Sequence, residues 1–241
     1  MIPKTIHYCW FGKGPMGELA EKCIASWREK LPDYSIQLWN EDNFDVSASV
    51  YCKEAYGNRK FAFVSDYARF WILKHHGGIY MDVDYEVLKP FSDEILDSQL
   101  FMGLDEIGDP TAIVGAAPNH PYNVQMVELY NNLKFVNADG SFNDSTMNVW
   151  MEDVLKRFGY KKENSKQVID HGIALYPDDY FQAKSLLTGK FNITSNTYTI
   201  HHHTLLWVSS KTKLIKFLRT KILVPVLGSK RYLALIKLIK R

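Results

Sequence analysis

The sequence predicts an α/β domain, and three observations carry that prediction. Strand-like and helix-like segments alternate over the first ~90 residues, the pattern of a sheet built with crossover connections. A diglycine, Gly77-Gly78, separates a long aromatic-rich helix from a short strand. The composition, 46% hydrophobic and 23% charged over 241 residues, is that of a globular chain and excludes a wholly disordered, collagen-like or heptad-repeat protein.

The elements follow in order. Residues 4–11 read as a strand, and 16–29 as a helix with Leu19, Cys23, Ile24 and Trp27 on one face. Ser35–Trp39 alternates Ile36 and Leu38 against Gln37, a second strand, and Asn40-Glu41-Asp42-Asn43 is a polar turn. Phe61–His76 is rich in helix formers and aromatics and stops at Gly77-Gly78, as a glycine C-cap does. Residues 79–84 then form a short strand. Residues 91–135 add helices and short strands, including 100–103 and 112–116; 144–158 is a helix and 196–202 a late strand.

Charge divides the chain unevenly. Residues 211–241 hold ten Lys or Arg and no Asp or Glu, so 1–210 carries 19 basic and 27 acidic residues, a net of −8. We read 1–210 as one domain and 211–241 as a basic amphipathic helical tail. Pro225 and Gly228 divide the tail into pieces 212–223 and 229–240. Lys230, Lys237 and Arg241 fall opposite Tyr232, Leu235, Ile236 and Ile239, the pattern of an interfacial helix on anionic lipid. A helix pair packed on the domain with a solvated basic face fits the same pattern. Nucleic acid is not an expected partner, because the body is acidic and lacks aromatic–basic interleaving.

Three cysteines without CxxC spacing argue against a disulfide scaffold or cysteine zinc site and for a reducing compartment. The apolar runs fall short of the ~18 residues of a spanning helix. Met1-Ile2-Pro3-Lys4 leads directly into a strand rather than a secretory leader. The expected location is therefore the cytoplasm, peripheral to the inner leaflet of the cell membrane.

The chemistry concentrates at Gly77-Gly78-Ile79-Tyr80-Met81-Asp82-Val83-Asp84. On a strand, Ile79, Met81 and Val83 face one side and Tyr80, Asp82 and Asp84 the other. Two neighbouring carboxylates repel unless a cation or a set of donors lies between them. Hard divalent cations take oxygen ligands and commonly combine one or two carboxylates with substrate phosphates. A pair of solvated acids at a strand end satisfies the same pattern. Upstream, Asp66 and Arg69 are neighbours on one helix face, placed either to hold sugar hydroxyls and phosphate or to form a surface or buried ion pair.

Three blocks in order carry a family resemblance: Ile6-His7-Tyr8-Cys9-Trp10-Phe11-Gly12, Ser65-Asp66-Tyr67-Ala68-Arg69, and the diglycine-to-Asp84 segment. Together they resemble the sugar transferases with a DXD motif, glycosyltransferase family 32. That family includes bacterial capsular-polysaccharide enzymes and fungal initiating α-1,6-mannosyltransferases, and it is related to the catalytic core of the large clostridial glucosylating toxins. Tyr198-Thr199-Ile200-His201-His202-His203 with Trp207 and Ser209 resembles its late His-His…Trp segment, and Ile173-Ala174-Leu175-Tyr176-Pro177 fits the bacterial members.

The resemblance implies a GT-A fold and a retaining hexosyltransferase that uses a nucleotide diphosphate sugar, with a UDP-sugar favoured, and Mn²⁺ or Mg²⁺. It implies that Trp10 stacks on the base and that Asp66 and Arg69 hold the sugar and its phosphate. Asp82 would touch ribose or sugar hydroxyls, and Asp84 would ligate the metal. Tyr80 and Trp207 join the donor-binding set, and His201 or His203 completes the metal shell. The implied acceptor is a lipid-linked oligosaccharide in surface-polysaccharide synthesis, with the anionic membrane met through 211–241. Asp105, Glu106 and Asp109 fit the acceptor side, or simply a polar loop. The Gly-Pro pair that many bacterial relatives carry before an acceptor-side helix is replaced here by Ser141-Phe142-Asn143-Asp144-Ser145-Thr146. Other readings are a toxin-like protein glucosyltransferase and a non-catalytic nucleotide-sugar-binding protein. A metal-dependent phosphohydrolase is disfavoured, because Glu86 stands where such enzymes carry Thr or Val.

Overall fold

The computed structural model describes residues 1–204 together with 217, 218, 220, 223–228 and 232. Nine strands are present among them: β1 Thr5–Cys9, β2 Ser35–Trp39, β3 Gly78–Tyr80, β4 Tyr85–Val87, β5 Leu100–Leu104, β6 Pro110–Ala116, β7 Gln167–Ile169, β8 Ile173–Tyr176 and β9 Thr199–His201. The helices of the body are α1 Glu18–Lys30, α2 Val50–Gly57, α3 Phe61–His76, α4 Asp93–Leu96, α5 Pro121–Asn131, α6 Met147–Lys156 and α7 Asp178–Phe181.

Seven strands form one mixed sheet in the order β2-β1-β3-β6-β5-β8-β7, and β4 pairs with β9 apart from it. The expected α/β class is therefore present, and β2, β1 and β3 run parallel. Beyond them β6 is antiparallel to both β3 and β5, so the sheet is more mixed than the helix–strand alternation suggests. Strands β5 and β6 are buried along their whole length, and their apolar runs read that way in sequence. Helix α2 is not among the expected elements; its N-cap, Ser49, accepts a hydrogen bond from the Cys52 N–H. The three cysteines are buried and unpaired.

The glycine pair explains how α3 gives way to β3. Gly77 and Gly78 have φ of 64° and 92°. A Cβ on Gly77 would lie 2.7 Å from Pro118 Cδ, and one on Gly78 would lie 2.6 Å from the Thr5 carbonyl oxygen. Only glycine takes this backbone at this distance from β1. The strand is held in place by His7, whose Nδ1 accepts from Trp39 Nε1 at 3.1 Å and whose Nε2 donates to the Gly77 carbonyl at 3.0 Å.

One sequence expectation needs correction here. Residues 79–84 are not a single strand. β3 ends at Tyr80, and the Tyr85 N–H donates to the Asp82 carbonyl at 3.1 Å, closing a turn. Tyr80, Asp82 and Asp84 therefore do not line one strand face. The turn instead carries the chain out of the main sheet into β4, where Tyr85 pairs with His201 of β9.

Trp207 and most of 211–241 lie outside the described residues. A short helix, Val224–Leu227, crosses the expected break at Pro225, because proline is tolerated in a first helical turn. Gly228 does end it, with φ of 76°. Val224 and Tyr232 are buried together with Leu187 of the body. Among the described residues, no helix is long and apolar enough to cross a membrane.

Candidate active site at the ends of the parallel strands

Parallel strands β1 and β3 end side by side, where open α/β sheets usually bind ligands. Trp10 follows β1, Asp82 and Asp84 follow β3, and Asp66 and Arg69 come from α3.

Arg69 is the centre of the first cluster. It is only 3% exposed. Its Nη2 donates to Asp66 Oδ1 at 2.9 Å and lies 3.3 Å from Asp82 Oδ1. Its guanidinium sits 4.5 Å over the ring of Tyr80, whose hydroxyl donates to Asp82 Oδ1 at 3.2 Å. Burial works against the guanidinium charge, but Asp82, Tyr80 and Asp66 outweigh it and hold the pKa above the ordinary arginine value. Asp66 goes the other way. Burial, helped by Asp82, pushes its carboxyl up to about 6 against the pull of Arg69. Arg69 Nη1 is buried with no hydrogen-bond partner. A buried donor of this kind is costly unless a ligand oxygen meets it.

The second cluster surrounds Asp84. One carboxylate oxygen, Oδ2, accepts from both the N–H and the hydroxyl of Thr204 at 2.9 Å, and Oδ1 lies 3.2 Å from His201 Nε2. Burial opposes ionisation, but His201 and Thr204 outweigh it and hold the Asp84 carboxyl well below the usual carboxylate range. The His201 ring stacks on Tyr85, with centroids 4.2 Å apart. Gln182 Nε2 donates to the Tyr85 hydroxyl, which turns Gln182 Oε1 toward His201 Nδ1 at 3.0 Å. With Nδ1 donating to Gln182, Nε2 meets Asp84 in one of two ways: as the second N–H of an imidazolium it donates to the carboxylate, and as a lone pair it shares a cation with it.

Asp82, Asp84 and His201 each place a ligand atom within 4.8 Å of the others. Two carboxylate oxygens and an imidazole nitrogen suit Mn²⁺ or Mg²⁺ with substrate phosphate in the remaining positions. The donor set therefore fits a divalent cation, and these three side chains would hold it.

The remaining site residues are placed as follows. His203 lies outside this trio: its ring packs 4.0 Å from that of His201, and its Nε2 donates to the Lys184 carbonyl. Tyr80 is 1% exposed and reaches the site through Arg69 and Asp82. Trp10 is partly exposed, and its Nε1 donates to the Gly14 carbonyl at 2.7 Å. Glu41 ties the same loop down by accepting from the Gly12 N–H at 2.7 Å. A cleft of about 460 Å³ is lined by Tyr8, Pro15, Met16, Glu21, Ile24 and Arg28. Asp105 and Glu106 line a small cavity with Gln182, Lys184 and His203, whereas Asp109 pairs with Lys162. Sequence reasoning missed Gln182 and Thr204, since neither stands in a motif. The available signals are that Thr204 directly follows the late histidine block and that Gln182 directly follows Tyr180-Phe181.

Residues 17–102 match the family model described as "Glycosyltransferase sugar-binding region containing DXD motif". Over this region the chain is similar to the DXD glycosyltransferases. It contains Asp66, Arg69, Asp82 and Asp84; Trp10 and His201 lie outside it. Among curated proteins, the chain is 30% identical over 139 residues to inositol phosphoceramide mannosyltransferase 1 of Schizosaccharomyces pombe, covering 52% of this chain and 42% of that protein. It is 24% identical over 129 residues to mannosyl phosphorylinositol ceramide synthase SUR1 of Saccharomyces cerevisiae, covering 51% and 33%. The chain thus spans less than half the length of these relatives. Among solved structures, the PaToxG glycosyltransferase is 18% identical with a TM-score of 0.44, covering 53% of this chain and 60% of that one.

Proposed function

We propose that this protein is a metal-dependent, retaining hexosyltransferase that moves a sugar from a nucleotide diphosphate donor, UDP-linked, to a membrane-held glycan acceptor in surface-polysaccharide synthesis. The observation that carries this reading is the convergence of Asp82, Asp84 and His201 beside the unpartnered Nη1 of Arg69. Asp82, Asp84 and His201 would hold a divalent cation, which when bound would offset the negative charge that develops on the leaving diphosphate. Arg69 gives a permanent positive charge and one free donor to a phosphate or sugar oxygen. Asp66 and Asp82, fixed by Arg69 and Tyr80, accept from sugar hydroxyls and orient the ring. Among the described residues no side chain stands out as an enzyme nucleophile, which favours front-face transfer. The acceptor hydroxyl then bonds to the anomeric carbon on the side the phosphate leaves, and its proton passes to that phosphate oxygen.

The cleft beside the Trp10 loop has the volume of a small-molecule site, but none of Trp10, Asp66, Arg69, Asp82 and Asp84 lines it. The membrane-held acceptor and the inner-leaflet location are supported by the +10 charge of residues 211–241. A mannosyl donor is the second reading, favoured by the mannosyltransferase names of the fungal relatives. A hydrolysis screen with UDP- and GDP-sugars, with and without Mn²⁺, tests the proposal. The expected result is metal-dependent release of sugar from one donor. Binding of a donor without release of sugar under any condition would leave a non-catalytic binding protein instead.

A further inference from the structure

Twelve large hydrophobic side chains are exposed among the described residues, and six of them lie between 191 and 226. They are Phe191 at 55%, Ile193 at 58%, Phe217 at 56%, Leu218 at 40%, Leu223 at 42% and Val226 at 77%. Singly exposed apolar residues are ordinary; concentration on two neighbouring segments is not.

The two segments pack on each other. Residues 183–192 form a tight hairpin in which the Ser185 N–H donates to the Lys190 carbonyl, the Asn192 N–H donates to the Ala183 carbonyl, and Lys184 bridges Phe191. Near the hairpin's tip, a Cβ on Gly189 would lie 3.2 Å from Thr220 Cγ2. Leu187 shares a small apolar cluster with Val224 and Tyr232. The base of the hairpin reaches the site just described: Lys184 Nζ donates to the His202 carbonyl at 3.1 Å, and the Lys184 carbonyl accepts from His203.

We propose that Phe191 and Ile193, together with the exposed apolar residues 217–226, form one docking surface for an anionic bilayer. Charge selects the occupant. The segment 211–241, which bears four of the six apolar side chains, holds ten cationic residues and no anionic one. Lys190 adds another cation on the hairpin. The carboxylates bonded to this loop already hold donors: Glu106 accepts from the Leu187 N–H, and Asp179 accepts from Thr194 and Asn196. A segment whose sequence mixes apolar and basic side chains binds at the headgroup boundary through both buried area and attraction to anionic lipid. The inference deepens the membrane-held acceptor of the proposed function and rests on that reading only for its purpose. Docking here sets the Asp84–His201 group at headgroup level, next to an acceptor carried by lipid.

Co-sedimentation of the full chain with vesicles tests it. The vesicles are phosphatidylcholine alone, or phosphatidylcholine with phosphatidylglycerol. The intact chain is expected to sediment with the anionic vesicles and not with the neutral ones. The Phe191→Ser/Ile193→Ser variant is expected to partition about tenfold more weakly, while hydrolysing donor in solution at the unaltered rate. That second readout separates the docking surface from the transferase activity, because vesicle binding needs no turnover. Ile193→Trp, a milder change, is expected to add blue-shifted emission on anionic vesicles when compared with the intact chain. Equal sedimentation of the double-serine variant, or no added blue shift from Ile193→Trp on vesicles that do bind the chain, overturns the proposal. Self-association suppressed by the double variant, without vesicle binding, assigns the surface to a second copy and overturns it as well.

Discussion

His201 Nε2 stands 3.2 Å from Asp84 Oδ1, while its other ring nitrogen is held by Gln182. The strand pair β4–β9 brings these two residues together from 117 positions apart in sequence. An imidazole nitrogen and a carboxylate oxygen at that distance form an ion pair when the ring is protonated and can share a cation when it is neutral, with Asp82 as the next ligand.

Replacement of Asp84 by alanine removes the carboxylate that both His201 and Thr204 address. Mn²⁺ binding by calorimetry is expected to disappear, and metal-dependent turnover to fall by about 100-fold or more, with the circular dichroism spectrum unchanged. Undiminished turnover would remove the metal site from the account.

Gln182 touches no ligand but fixes the imidazole. Gln182→Leu leaves Nδ1 without a partner and frees the ring to turn. Metal affinity is expected to drop about 10–100-fold, as it does when outer partners of metal-bound histidines are lost. Gln182→Glu keeps an acceptor at that position and is expected to retain most of the affinity. Mn²⁺ titration of both variants distinguishes orientation from simple loss of packing.

The Asp66 carboxyl, pushed up to about 6 by burial, is protonated below that pH and ionised above it. The ionised form accepts at both oxygens and carries the charge that strengthens those bonds, whereas protonation turns one oxygen into a donor. Donor affinity is therefore expected to weaken as pH falls through about 6, seen as a rise in KM. In Asp66→Asn, KM is expected to be high and flat across the same range. A wild-type KM independent of pH from 5 to 7 would exclude Asp66 from donor binding.

His7 gives a stability signature. Burial, opposed by its bond to the Gly77 carbonyl, pushes its pKa down to about 4. In the unfolded chain it titrates near 6.5, so the unfolded state takes up a proton first as pH falls. The contribution is fully present above pH 6.5 and is lost as pH falls from 6.5 toward 4, amounting to about 3 kcal/mol. Asp66 acts in the opposite direction, because the native state keeps its proton up to about pH 6. Comparison with His7→Gln by urea unfolding cancels that opposing effect. The intact protein is expected to lose about 3 kcal/mol more than the variant between pH 7 and 4.

Much of this was legible in the sequence. Phe61–His76 and Ser35–Trp39 have the bounds that periodicity predicts, because amphipathic spacing and the glycine stop are local signals. The Asp66–Arg69 pair was readable too, since residues three apart on a helix are neighbours. The path of the Asp82–Asp84 segment was not. Alternation assumes the strand continues, whereas the turn closed by Tyr85 and Asp82 ends it, and nothing local distinguishes the two.

By itself the sequence determined the sheet's parallel half, the positions of the acids and the division of charge between body and tail. Each depends on residue type and short-range spacing. Tertiary structure alone decided that His201, rather than His203, faces the carboxylates, that Gln182 sets its ring, and that Tyr80 lies beneath Arg69 instead of open to a donor. Those facts depend on which distant strands pair and in what register, and a one-residue slip in β4–β9 would have put a different histidine beside Asp84.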